Sequence, residues 1–253
     1  MLKNLYGRLA EALRFLTILP IPGTPAMSEI ALVRAMATFP LAGALIGGLV
    51  AATWWGATWL WGGPAGALCA VLTWGALTSG LHLDGIADSG DALFSWRSRE
   101  RKLEIMKDSR IGTMGALALI GVVLLKWAFV LTCGPLAWRA LILAPILGRW
   151  ANLLGIFWFP AAAEGGLGRT FRDHIRRSDL GWASGSAVAG AVLLAGWWGG
   201  LALAVVAATT VICAQAMVRS LGGLTGDTYG ALCEIAEAVT LAVLGAAVTH
   251  GAW

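Results

Sequence analysis

The chain has 253 residues, 58% of them hydrophobic and only 13% charged, with a formal net charge of +4. A soluble domain carries roughly a quarter charged residues, so an ordinary soluble domain is excluded. With a mean hydropathy of +0.76, 34 glycines and 14 tryptophans, the composition predicts one all-α, polytopic membrane helix bundle over residues 1–253. Glycine is enriched in membrane helices and tryptophan at their interfaces. The positive charge is read as basic loops beside an anionic bilayer, with no nucleic-acid partner.

The first 38 residues contain "FLTILPIP", too short to span. Glu11 and Arg14 interrupt the early apolar residues, so the segment is no clean cleavable signal. About 20 apolar residues cross a bilayer. Seven spans are expected near residues 39–61, 64–81, 111–132, 136–160, 182–198, 201–218 and 230–250. Three joints are very short: "GGP" at 62–64, "CGP" at 133–135 and "GG" at 199–200. No strand pattern competes, since open strands cannot face lipid.

Sides follow from charge. The short joints carry no Lys or Arg. The other connections carry Lys3, Arg8, Arg14 and Arg34; then Arg97, Arg99, Arg101, Lys102, Lys107 and Arg110; then Arg169, Arg172, Arg176 and Arg177; then Arg219. Alternation puts all four basic segments on one face, which the positive-inside rule makes cytoplasmic. The N-terminus is expected on that face of the cytoplasmic membrane and the C-terminus outside. Cys69, Cys133, Cys213 and Cys233 form no C-x-x-C pair and read as packing residues.

The acids then become informative. Asp84, Asp88, Asp91, Asp108, Asp227, Glu234 and Glu237 all fall at or near the cytoplasmic ends of the expected spans. A carboxylate there must be solvated, paired or metal-bound. In "LHLDGIADSGDALF", Asp84, Asp88 and Asp91 stand at i, i+4 and i+7, one face if the second span continues as helix. Three like charges repel, and a divalent cation relieves them. Oxygen donors without thiolate or paired histidine favour Mg²⁺ or Mn²⁺. The competing reading is a solvated helix end paired with the arginines at 97–110. His82 is a candidate general base, a ligand or an interface histidine.

"RERKLEIMKDSRIG" (99–112) predicts a short interfacial helix leading into the third span. Arg110 is a candidate phosphate donor, because an arginine fork matches phosphate oxygens, whereas Lys107 reads as facing lipid headgroups. Arg149 lies inside a span and is expected to face the bundle interior in a functional role; Lys126 is similar. In "GGLTGDTYGALCEIAE" (222–237), Gly223 and Gly226 would let backbone N–H groups close on a phosphate. Asp227 and Glu234, seven apart, share a helical face with Glu237 nearby. Asp108, Asp227, Glu234 and His82 are the candidates for accepting a proton from an attacking hydroxyl. The alternative is a glycine-packed turn into the last span.

Six segments occur in order: "FLTILPIP", "LHLDGIADSGDAL", "RERKLEIMKDSRIGTMG", "GRWAN", "GLGRTF" and "GGLTGDTYGALCEIAE". Together they resemble the cobalamin synthase family, the adenosylcobinamide-GDP ribazoletransferases, over residues 15–240. Ala92 departs from a glycine common in that family and removes no ligand. The resemblance implies an Mg²⁺-dependent membrane transferase of nucleotide-loop assembly. It joins adenosylcobinamide-GDP to α-ribazole or its 5′-phosphate and releases GMP. It also implies that Asp84, Asp88 and Asp91 hold Mg²⁺ on the diphosphate, with Lys107, Arg110, Arg149, Gly223, Gly226 and Glu237 near substrate. Without it, the acids alone permit a phosphotransferase acting on a lipid diphosphate, or an ion-coupled transporter. Transporter sites lie near the bilayer midplane, whereas these acids gather at one face. No pattern fixes oligomeric state, and a homo-oligomer stays open.

Overall fold

The computed structural model describes residues 2–23, 28–162 and 165–251; the side chain of Lys3 lies outside the described part. The described residues form helices joined by short turns, with one isolated bridge between Ala161 and Leu224. In chain order they are α1 (Leu2–Leu16), α2 (Glu29–Ala35), α3 (Phe39–Trp61), α4 (Gly63–Leu77), α5 (Leu81–Leu93) and α6 (Arg99–Ile105). Then follow α7 (Thr113–Thr132), α8 (Ala137–Trp158), α9 (Leu167–His174), α10 (Arg177–Leu221) and α11 (Gly226–Thr249). This is an all-α membrane bundle.

Local sequence explains the helix ends. Ser28 and Ser98 cap α2 and α6 by accepting the N–H of the third residue on, Ala31 and Arg101. Thr225 and Thr228 close a reciprocal box at the start of α11. Prolines stand in the first turns of α3 and α4, where a missing N–H costs nothing.

Five helices are long and apolar enough to cross a membrane, six if the bent pair α4–α5 is one span. The expected count of seven is therefore not confirmed. Span 39–61 coincides with α3. The expected second span is shorter: α4 ends at Leu77, and the acids lie on a separate helix bent from it by 90°. The last two inner spans expected before α11 are one 45-residue element, α10, broken at Gly196 (φ 55°, ψ −132°) rather than at 199–200. Gly199 lies against the backbone of Ala191, so the chain doubles back at Gly196. A straight helix would set those residues about 12 Å apart.

Packing inside lipid gains little from the hydrophobic effect, so close approach through small residues takes over. Along α10 the buried residues Ala183, Ala187, Ala191, Ala195 and Gly199 recur every fourth position. Gly43 and Gly47 of α3 press on the α8 backbone at Pro145 and Ile142. The span containing α8 is 83% buried and α11 67%, while α7 and α10 are 22% and 28% buried. The first two are thus among the most enclosed helices, with α3, and the last two keep apolar faces exposed. Exposed tryptophans mark both ends: Trp55, Trp59, Trp138 and Trp197 at one, Trp96, Trp158 and Trp182 at the other. Trp138 and Trp158 are separated by about 30 Å of helix, the hydrocarbon thickness of a bilayer.

Candidate functional site

The site begins where α4 stops. The Thr78 hydroxyl donates to the carbonyl of Trp74, and Ser79 (φ 51°) and Gly80 (φ 67°) reverse the backbone hand. This turn aims α5 across the end of the bundle. There α5 runs along α11, with Gly85 packed on the Asp227 carbonyl and Gly230 on the backbone of His82. Only glycines allow that approach.

One face of α5 opens on a cavity of about 1070 Å³, lined among others by Arg14, Phe15, Asp84, Asp88, Lys107 and Asp227. Asp88 faces the charges of Asp84, Asp227 and Asp91. Among the described residues, no Lys or Arg pairs with Asp84, Asp88 or Asp227. Two of the three expected metal ligands, Asp84 and Asp88, and two candidate bases, Asp227 and Asp108, thus line one open space.

Asp91 is held differently. Its Oδ2 accepts the N–H of Gly112 and its Oδ1 the N–H of Gly115, both at 2.7 Å. It caps the start of α7, where unpaired N–H groups favour an anion. Gly112 and Gly115 leave no room for a β-carbon beside that carboxylate. Among the described residues no group of three or more His, Cys, Asp or Glu side chains is arranged to hold a metal ion.

Lys107, Asp108 and Ser109 form a wall of the cavity. The Arg110 guanidinium donates to both Asp108 oxygens, at 2.9 and 2.6 Å. These bonds hold the Asp108 carboxyl down at about 2. The glycine-rich turn is tied to the end of α8 by two backbone bonds of 2.8 Å, Leu224 N–H to Pro160 and Ala162 N–H to Leu224. Gly223 is buried against Ala161 and Ala162, whereas Gly226 is exposed with open space beside it.

Glu234, Glu237, Arg149 and His82 lie apart from the cavity wall. The two glutamates are well inside the bundle, not at a span end as expected. Lys126 of α7 donates to Glu234 at 2.6 Å and to Glu237, and stands 4.2 Å from the centre of the Trp74 ring. Arg149 of α8 donates to the other oxygen of Glu237 and contacts Nδ1 of His82 at 3.4 Å. All four charged side chains are at most 4% exposed. Two cations and two carboxylates balance, the condition under which buried charge is tolerated. Arg149, expected near substrate, is instead paired with Glu237 inside the bundle and does not line the cavity.

Sequence reasoning missed the part played by α1. Arg14, Phe15 and Thr17 line the cavity, and the Ile18 N–H bonds the Leu77 carbonyl at 2.9 Å. Arg14 donates to the carbonyls of Ile21 and Pro22, which folds "FLTILPIP" over the end of α4. The signal was present: an arginine followed at once by a short apolar run with two prolines. Lys126 as the hub of the buried cluster had no local signal, because its partners are more than 100 positions away.

The sequence profile of a family described as Cobalamin-5-phosphate synthase matches residues 8–245. A protein of Herpetosiphon aurantiacus named adenosylcobinamide-GDP ribazoletransferase is 75% identical over 96% of this chain and 97% of its own. Proteins of the same name from a Roseiflexus species and from Desulforamulus reducens are 54% and 40% identical. They cover 94% and 92% of this chain and 89% and 94% of their own. No solved structure matches.

Proposed function

The chain belongs to the cobalamin-5-phosphate synthase family, and from that premise we propose that its cavity joins adenosylcobinamide-GDP to α-ribazole or α-ribazole 5′-phosphate. In this reaction a free ribose hydroxyl of the ribazole, not the 5′-oxygen that carries the phosphate in α-ribazole 5′-phosphate and in its product, forms a bond through its oxygen to the phosphorus attached to the corrinoid side chain. The bridging bond to the second phosphorus breaks, GMP leaves, and adenosylcobalamin or its 5′-phosphate forms. The hydroxyl proton passes to a base.

One observation carries the assignment to this cavity: Asp84, Asp88 and Asp227 open into one space without a basic partner. Oxygen donors of this kind suit Mg²⁺, which needs only one or two carboxylates beside substrate phosphates. Asp84 and Asp88 would hold the ion, with Asp91 the most constrained of the three expected ligands. When bound, it neutralises charge developing on the diphosphate. Lys107 supplies a positive charge on the wall facing the acids. Asp227 is the base this geometry favours, since Asp108 is engaged by Arg110 and Glu234 and His82 are buried off the cavity.

The Lys and Arg gathered in the connections at this end support a cytoplasmic orientation for it, with α1 on the same side. A soluble diphosphate reaches the cavity from there. The test is GMP release by purified protein supplied with adenosylcobinamide-GDP, α-ribazole and titrated Mg²⁺.

A further inference from the structure

His82 and the two cavity acids sit on opposite sides of one helix. Asp84 follows His82 by about 200° of helical rotation and Asp88 by about 240°. His82 is 4% exposed and turned into the bundle, where Arg149 meets its Nδ1. Arginine offers only donors. Nδ1 is therefore the acceptor, and the ring proton rests on Nε2. A ring held this way has no free lone pair for a substrate proton.

The contact behind it is equally determined. Arg149 is fixed by Glu237, Glu237 by Lys126, and Lys126 by Glu234 and the Trp74 ring. The chain of contacts runs through α4, α5, α7, α8 and α11. The two elements packed most closely on α5, α11 and α7, both contribute to it, and the charges within it cancel.

We propose that Lys126, Glu234, Glu237, Arg149 and His82 are positioning residues forming a charge-balanced brace. It sets the height and rotation of α5, and so the placement of Asp84 and Asp88, without touching substrate. This rests on the cavity being the transferase site. The brace explains why charged groups are kept in the bundle interior, where each unpaired one would be costly. A misplacement of about 1 Å at the acids is enough to lose about 100-fold in turnover.

The test uses full-length protein in detergent or liposomes. Asn places an oxygen where His82 carries Nδ1, so His82→Asn keeps the acceptor for Arg149 and removes any basic nitrogen. It is expected to keep turnover within about tenfold of the parent, while His82→Leu loses about 100-fold in kcat with little change in KM. Lys126→Met is expected to lose a similar factor, and Lys126→Met with Glu234→Gln, which restores neutrality, to recover most of it. In the parent protein, ¹⁵N spectra are expected to show one of the three histidines as the Nε2–H tautomer. Folded His82→Asn as inactive as His82→Leu would overturn the proposal, as would a buried histidine found as the Nδ1–H tautomer. If the parent releases no GMP, the functional reading fails, and the tautomer and the neutral double variant's thermal stability still decide whether the brace exists.

Discussion

Gly230 of α11 meets Gly85 of α5 so closely that a β-carbon on Gly230 would stand 3.4 Å from the Gly85 Cα. The acid helix is thus seated directly on the backbone of the helix that carries Asp227. Both sides of the cavity are set by this crossing.

Gly85→Ala would drive a methyl group into the Asp227 carbonyl. The helices must separate, so turnover is expected to fall by about 100-fold. Gly121→Ala, with open space beside it, serves as the control and is expected to keep full activity. Comparing GMP release by the two folded variants checks the crossing.

Asp91 and its neighbours on α5 should separate by what they damage. Asp91→Asn loses acceptor capacity for Gly112 and Gly115 and is expected to cost about 1 kcal/mol of stability, as lost helix caps do. Asp84→Asn and Asp88→Asn leave those bonds intact. They should lose nearly all turnover with little change in melting temperature. Thermal melts beside GMP release distinguish the two classes.

Gly223 and Gly226 make a similar pair. A methyl at Gly223 collides with Ala161 and Ala162, so Gly223→Ala is expected to lower the melting temperature. Gly226→Ala meets nothing within 4 Å. Any rise in KM for adenosylcobinamide-GDP in that variant reads contact with substrate alone.

Asp108 is held at about 2, below its ordinary 3.8, by hydrogen bonds from Arg110. Its folded value is depressed, so the stability it lends is complete above the ordinary value and is lost only as pH falls towards 2. It does not titrate near neutrality. Asp108→Asn is expected to leave the shape of the pH–rate profile unchanged across roughly pH 6 to 8. Disappearance of a limb in that range would return Asp108 to the chemistry.

Much of this was legible in the sequence for physical reasons. Spans show as runs of apolar residues because a bilayer of fixed thickness demands them, and α3 coincides with its expected bounds. Asp84 and Asp88 were readable because helical spacing alone puts them on one face. The bend before α5 was not, since Ser79 and Gly80 look like any small pair in an apolar segment. Glu234 and Glu237 stand only a few residues into the expected span 230–250, so position along the chain does not show how deep they lie. Lys126 and Arg149, distant in sequence, let that charge lie deep. Asp91 differed from its two neighbours only through the backbone of α7, which spacing within α5 does not reveal.

The central claim is that the acids of α5 serve transfer from a GDP-activated corrinoid. Its most direct measurement is GMP formed per corrinoid product by the purified protein, with and without α-ribazole and Mg²⁺, beside Asp88→Asn. One GMP per product, dependent on both additions and absent in Asp88→Asn, is predicted. Folded parent protein that forms no GMP, or an Asp88→Asn variant that turns over at the parent rate in limiting Mg²⁺, would contradict it.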